Sequence, residues 1–540
     1  MKRHLIPAAA FLLILALPGS ILAQDAGLKL GTVSFPNSGD ESAQEPFLRG
    51  VRLLHSFEYS DAATAFREAQ EADPDFAMAY WGEAMTYNHP LWFDHDREDA
   101  REALERLAPT REQRLAKAGT GKEREFLDAV ETLYGDGELY DRNRAYRDAM
   151  RRMYEQHPDD DEVATFYALS ILGTSEAGRD FATYMKAASI ADVVFRRNPD
   201  HPGAAHYLIH SFDDPIHAPL GLLAARSYSE IAPDAAHALH MPTHIFVALG
   251  MWQDVAAMNV RSWQASVDRV ERLDLSPNAY SYHAIHWELY ARTQLGQYDK
   301  AHELVEKVAS LYAEAGGGGI HYYLARMIAT YITDSEDWAY GLKESPVNIE
   351  NLNLGTAAMH EFARAYAAVQ TGDVARTEQV IAGMRERRTE EAAREDEFDA
   401  ASIGEYRQGL EVALVLEKEL EALVAQANGD VDRAIETLRQ ARDIETAMSF
   451  DYGPPYIVKP APELLGETLL AAERFEEAVE AFELSLGRTP GRSPSLAGLA
   501  EAARAAGMTD RAEEAEAQLA ENMRNADEPT ESAPMGASGK

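Results

Sequence analysis

The sequence predicts an all-α fold, an α-solenoid in which short helix-turn-helix units stack into a superhelix with a concave groove. Three observations carry this. Small, apolar and aromatic residues recur at helical spacing in units punctuated by glycine or proline. The same arrangement stands near both ends of the chain. No segment reads as substantial sheet: even Asn428-Gly429, a hairpin dipeptide, has helical flanks in Leu423 to Gln426 and Ala434 to Leu438. At roughly 150 residues per domain, 540 residues would make three or four compact domains unless the sequence repeats itself. With 46% hydrophobic and 9% aromatic residues it can bury a substantial core.

The chain opens on basic Met1-Lys2-Arg3-His4, followed by an apolar run from Leu5 to Leu17 broken only by Pro7, and small Ala23 precedes Gln24. This pattern predicts a cleaved signal peptide over 1–23, because the apolar run falls short of the roughly 20 residues that span a bilayer. A periplasmic or secreted bacterial protein is expected, with no membrane insertion of the mature chain. An N-terminal arm follows over 24–42. The first helix pair is then marked by Gly50, Leu53, Tyr59, Ala62, Phe66, Ala69 and Pro74. Gly50 and Ala62 stand where two helices must approach closely, and Pro74 ends the second helix. Leu465-Gly466, Phe475, Ala478, Phe482 and Pro490 repeat the order, and Gly250, Gly296, Gly372, Gly429 and Gly507 open further turns. The units divide into an array over 43–333 with an insertion from Asn88 to Leu107, an irregular linker over 334–357, a second array over 358–526, and a disordered tail over 527–540.

In order and spacing these units resemble the tetratricopeptide repeat, a helix-turn-helix of about 34 residues, and about ten to twelve would fit. His240-Met241-Pro242-Thr243-His244-Ile245, with Gly453-Pro454-Pro455 and Lys459-Pro460-Ala461, is similar to an exported bacterial subgroup of that family with no assigned activity. The resemblance implies that the first helix of each unit lines the concave groove where ligands bind.

Composition removes several classes of function. The net charge of -39, from 51 Lys and Arg against 90 Asp and Glu, repels phosphates, so nucleic acid is not an expected partner. No cysteine is present, which excludes disulfides, thiolate metal sites and cysteine nucleophiles. Gly119-Thr120-Gly121-Lys122 lacks the rest of a phosphate loop, no Ser nucleophile elbow occurs, and His302-Glu303-Leu304-Val305-Glu306 lacks the second His of a zinc-protease motif.

Of 17 histidines, eleven lie between His201 and His321. His206 and His210 stand one helical turn apart, and His240 and His244 repeat the pair 34 residues later, at the same offsets from Pro199 and Pro233. The stripe extends to His237, to His283, His286 and Tyr290, and to Asp213 and Asp214; Trp81, Met85 and His89 occupy the matching offsets in an earlier unit. His321 falls one residue out of register. Two readings stay open. In one, the stripe lines a groove that binds a protein, peptide or small-molecule partner, without catalysis. In the other, His206, His210, His240 and His244 share a metal, zinc or copper given an all-imidazole set, in a metal carrier or metal-dependent enzyme with Asp213 or Asp214 as base or supporting partner.

Overall fold

The computed structural model describes residues 27–175, 178–398, 402–450 and 453–528; the expected signal peptide and all but the first two residues of the expected tail lie outside these. Among the described residues helix follows helix. The strands are the two-residue pair Asn88–His89 and Asp94–His95, antiparallel with Asn88 opposite His95. They fall in the expected insertion, whose second half is the Arg97–Leu107 helix, begun by the Asp96 carboxylate accepting from the Asp99 amide.

The opening hairpin pairs Glu41–His55 with Tyr59–Ala72. Gly50 lies so close to the Phe66 ring that a Cβ there would stand 2.8 Å from it, and Gly466 meets Phe482 in the same way at 2.9 Å, in the hairpin Ala461–Ala471 and Phe475–Arg488. Both rings are fully buried. Replacing either by Ala would cost about 3–5 kcal/mol, because the facing glycine has no side chain to fill the cavity. Helices end at Ala72, Arg197 and Ile231, each two residues before Pro74, Pro199 or Pro233, as the missing proline N–H requires.

The apolar core forms two clusters, one from Leu30 to Leu295 and one from Trp263 to Ala515. They meet along Trp252–Leu273, which sends Trp252 and Val255 into the first and Trp263 into the second. The segment 334–357 is irregular, with a short Trp338–Gly341 helix and a 3-10 turn Ile349–Asn351, yet it lies within the second cluster. Trp338 packs on Tyr366 at 5.0 Å and the Ser345 hydroxyl meets His360 Nε2 at 2.9 Å.

The C-terminal hairpins return to the middle of the chain. Trp252 Nε1 donates to the Gly491 carbonyl at 2.8 Å, the Ser493 amide donates to Gln294 Oε1 at 3.0 Å, and the Asp527 amide donates to the Gly296 carbonyl at 3.0 Å. Beneath these contacts buried Arg492 bonds Asp334 at 2.7 Å and Glu463 at 2.8 Å, and Thr293 and Gln294 complete the Asp334 carboxylate. Asp334, expected at the start of a linker, is instead a buried acceptor holding both ends of the second cluster together.

Candidate metal centre

Three helical segments carry the histidine stripe. Pro202–Phe212 begins with proline in its first turn and bears His206 and His210. Ala236–His240 and Pro242–Ala248 bear His237, His240 and His244. Pro242 has no N–H, so the hydrogen-bond ladder breaks there, but Met241 keeps helical angles (φ -53°, ψ -37°) and His244 stays one turn above His240. Tyr282–Gln294 supplies His283, His286 and Tyr290.

Five of the imidazoles close a ring. Centroid separations run 4.8 Å from His206 to His210, 5.6 Å to His244, 5.1 Å to His240, 6.2 Å to His237 and 5.0 Å back to His206; His283 adjoins His240 at 4.5 Å. His206, His210, His240 and His244 are buried, while His237 and His283 are partly exposed. Trp287 lies against His240 and His244 at 4.7 and 4.6 Å, and Gly453 (φ +96°) lies against Trp287 where a Cβ would come within 2.0 Å of the indole. The loop that carries Gly453-Pro454-Pro455 thus covers the Trp287 side of the centre, held there by Arg326, which donates to the Pro454 carbonyl at 3.3 Å and stacks on Tyr456 at 4.0 Å.

The hydrogen bonds assign the tautomers. His206 Nδ1 faces the His55 carbonyl at 2.7 Å, and a carbonyl only accepts, so Nδ1 carries the proton and Nε2 a lone pair. His240 Nδ1 donates to Asn259 Oδ1 at 2.7 Å, with the Asn259 amide oriented by its donation to the Val255 carbonyl. His244 Nδ1 donates to Asp213 Oδ2 at 3.1 Å. Both Nε2 atoms of the His240 and His244 pair therefore present lone pairs, 3.2 Å apart; His206 and His237 bring their Nε2 atoms to 3.3 Å. Bonds of about 2.0–2.1 Å at tetrahedral angles put two ligating nitrogens roughly 3.3 Å apart, the spacing seen here.

Burial disfavours the charged form of five of the rings. It lowers the pKa of His206, His210, His237 and His283, and it takes His240 down to about 3, with His244 adding to the effect. Burial alone would raise the Asp213 carboxyl, but the Arg179 guanidinium, His210 and His244 outweigh it and hold the group well below the usual carboxylate range. Arg179 is itself buried, bonding Asp213 through Nη1, Asp214 at 2.9 Å and the Ser211 carbonyl at 2.8 Å.

Three-ligand groupings whose donor atoms all lie within 4.8 Å are His206, His210 and His237; His240, His244 and His283; His210, Asp213 and His244; and His55, Glu162 and His201. The last has a different hydrogen-bond pattern. His201 Nδ1 accepts from the Ala204 amide, so its Nε2 carries the proton and faces Glu162 at 3.3 Å; His55 meets the other carboxylate oxygen at 2.8 Å. Both imidazoles there turn N–H groups toward a carboxylate rather than lone pairs toward each other, and the His201 contact lacks hydrogen-bond geometry.

Several expected positions take other roles. The four-histidine set is brought together but divides between two groupings, and His237 and His283, expected to line a groove, supply the third imidazole of each. Trp81 and Met85 are not groove residues: Trp81 is buried against Phe35, Phe126 and Phe166, and Met85 Sδ receives the Tyr146 hydroxyl at 3.9 Å. The arm residue Phe35 packs on Trp81 at 5.5 Å. Tyr290 is buried edge-on to Trp252 at 5.4 Å, and His286 is buried near Arg326 outside both groupings. His89 pairs with Asp94 at 3.1 Å and lies on Tyr59 at 4.2 Å, away from the ring. Asp214 accepts from Arg179, His217 and two amides, and Asp213 is likewise fully engaged, so neither stands free as a base. Asn259 and Arg179 were not legible as site residues, since nothing in their local sequence marks them.

No protein-family model and no curated protein matches the chain. Solved structures similar to it include the yeast Tom70 crystal structure, at 12% identity over 90% of this chain and 93% of that one with a TM-score of 0.31. The human IFIT1 dimer with m7Gppp-AAAA is 13% identical over 92% of each chain, TM-score 0.33, and the P58(IPK) TPR domain is 13% identical over 87% and 99%, TM-score 0.22. At these TM-scores the likenesses carry no argument about ligand or activity, and the helical-repeat architecture rests on the helix hairpins themselves.

Proposed function

We propose that this chain is a metal-binding repeat protein whose ions are held by the imidazoles of the ring. The observation that carries the reading is the His240 and His244 pair: two buried Nε2 lone pairs face each other at 3.2 Å with both Nδ1 protons already committed to acceptors. Lone pair against lone pair is unfavourable unless a cation lies between them. Neutral imidazole without thiolate suits zinc or copper, and the hydrogen bonds on each Nδ1 are the supporting contacts that fix ring orientation in metal sites. Three imidazoles to an ion leave a coordination position open, which supports metal-dependent chemistry; no base stands beside it, so no catalytic step is assigned. Export through the 1–23 segment belongs to the same reading.

The test is metal analysis of protein purified without a histidine tag. Near-stoichiometric zinc or copper surviving dialysis is expected, and protein that takes up neither overturns the reading. His206→Ala and His240→Ala should each lower metal affinity about 10-fold or more. His157→Ala and His302→Ala are the controls, since those rings lie on Glu125 and Glu306 outside the ring.

One observation favours a second reading, a scaffold that docks a protein, peptide or small-molecule partner. Leu220 and Leu223, 64% and 70% exposed, fall on one face of the Ala218–Ile231 helix, and Ile216, 60% exposed, lies in the turn before it. Charged replacements at Leu220 and Leu223 should then abolish partner binding and leave metal content unchanged.

A further inference from the structure

We infer that the ring holds two ions rather than one, the first on His206, His210 and His237 and the second on His240, His244 and His283, with the single carboxylate of Asp213 supporting both. This rests on the metal-binding reading and deepens it.

The division is geometric. His210 and His244, with Asp213, also bring donor atoms within 4.8 Å, so the division rests on the close pairs: each grouping contains one Nε2 pair at ligand spacing, 3.3 Å for His206 and His237 and 3.2 Å for His240 and His244. Between the groupings the rings stand farther apart, 5.6 Å from His210 to His244 and 6.2 Å from His237 to His240. An ion seated between the nitrogens of one close pair therefore finds its third imidazole within its own grouping. The sequence pairing one turn apart is not the close pairing in the first grouping: His206 finds its close partner on the next unit, at His237.

Asp213 joins the two sites through one atom. Its Oδ2 accepts from His244 Nδ1 at 3.1 Å and stands 3.6 Å from His210 Nδ1, one ligand from each grouping, while Arg179 holds the other oxygen. His210 Nε2, turned away from that carboxylate, is buried without a hydrogen-bond partner. A carboxylate on the far nitrogen orients a ligating imidazole and raises its basicity, so one side chain sets the donor strength of both ions. Two divalent ions on neutral imidazoles bring four positive charges into a covered site, and Asp213 is the anionic group bonded directly to the ligand shell.

The experiment uses the full tag-free chain, stripped with a chelator and titrated with zinc alone, with metal analysis of the dialysed product. Two zinc ions per chain are expected. His237→Asn and His283→Asn, at the partly exposed rings, should each leave one ion, and the double variant none. Asp213→Asn should weaken both sites 10-fold or more. One zinc per wild-type chain, or a loss confined to one site in Asp213→Asn, overturns the inference while leaving metal binding intact; uptake of neither zinc nor, in a parallel titration, copper overturns the proposed function instead. Should Asp213→Asn fail to fold by circular dichroism, the two histidine variants still decide between one ion and two.

Discussion

Two buried imidazole clusters flank the Pro202–Phe212 helix, and they are built from nearly the same materials to opposite effect. In one, His55 and His201 both point N–H groups at Glu162. In the other, His240 and His244 point lone pairs at each other, and the His206 Nε2 lone pair faces His237 Nε2. His55 belongs to both, giving its ring to the first and its carbonyl to the second. A carboxylate between imidazoles sets an acceptor against their N–H groups and makes a structural clasp. The His240 and His244 pair leaves two acceptors facing each other, and that mismatch, rather than the number of histidines, distinguishes an ion site from a packed polar core.

The comparison breaks most sharply on metal content. His240→Ala should lose 10-fold or more in affinity, whereas Glu162→Gln should leave metal content as in the wild type; metal loss in Glu162→Gln of the same size would make the clasp part of the centre. On stability the order reverses. Glu162→Leu orphans two buried donors and should cost about 2–5 kcal/mol in urea denaturation. Burial alone would raise the Glu162 pKa, but His201 and His55 bring it down to about 2 against 4.5 unfolded. The native state thus binds fewer protons, and the stabilisation is present above about pH 4.5 and lost as pH falls toward 2. The wild-type advantage over Glu162→Leu should shrink across that window, and a constant difference would contradict the clasp.

Gly453→Ala tests the cover on the Trp287 side of the ring. The left-handed backbone and the Trp287 indole both oppose a Cβ, so about 1–3 kcal/mol of stability should go, and zinc affinity should fall with it because Trp287 lies on His240 and His244. A destabilised variant with unchanged affinity would separate the cover from the site. The smallest effect belongs to Glu419, buried with both oxygens unpartnered among Glu445, Lys459, Glu463 and Glu467. Burial raises its pKa well above the ordinary value, so the folded state holds a proton that the unfolded state releases, and stability falls as pH rises past about 4.5. Glu419→Gln should therefore stabilise by about 1 kcal/mol at pH 8, with the gain fading toward pH 5.

By itself the sequence determined what is local: the helices, the close helix approach at Gly50, and the two histidine pairs one turn apart. Side chains at fixed intervals share a helix face whatever the rest of the chain does. Tertiary structure decided which face meets which. His206 Nδ1 is aimed by a carbonyl 151 residues earlier, His244 by Asp213 on the preceding unit, and the Trp287 side of the ring is covered by Gly453. The same superposition of distant segments buried Trp81 and Met85 under the arm and drew Asp334 into a network with Arg492. Periodicity fixes a side chain's direction on its own helix, but the twist from unit to unit selects its neighbours, and the partners of an imidazole decide whether it closes a clasp or offers a lone pair to an ion.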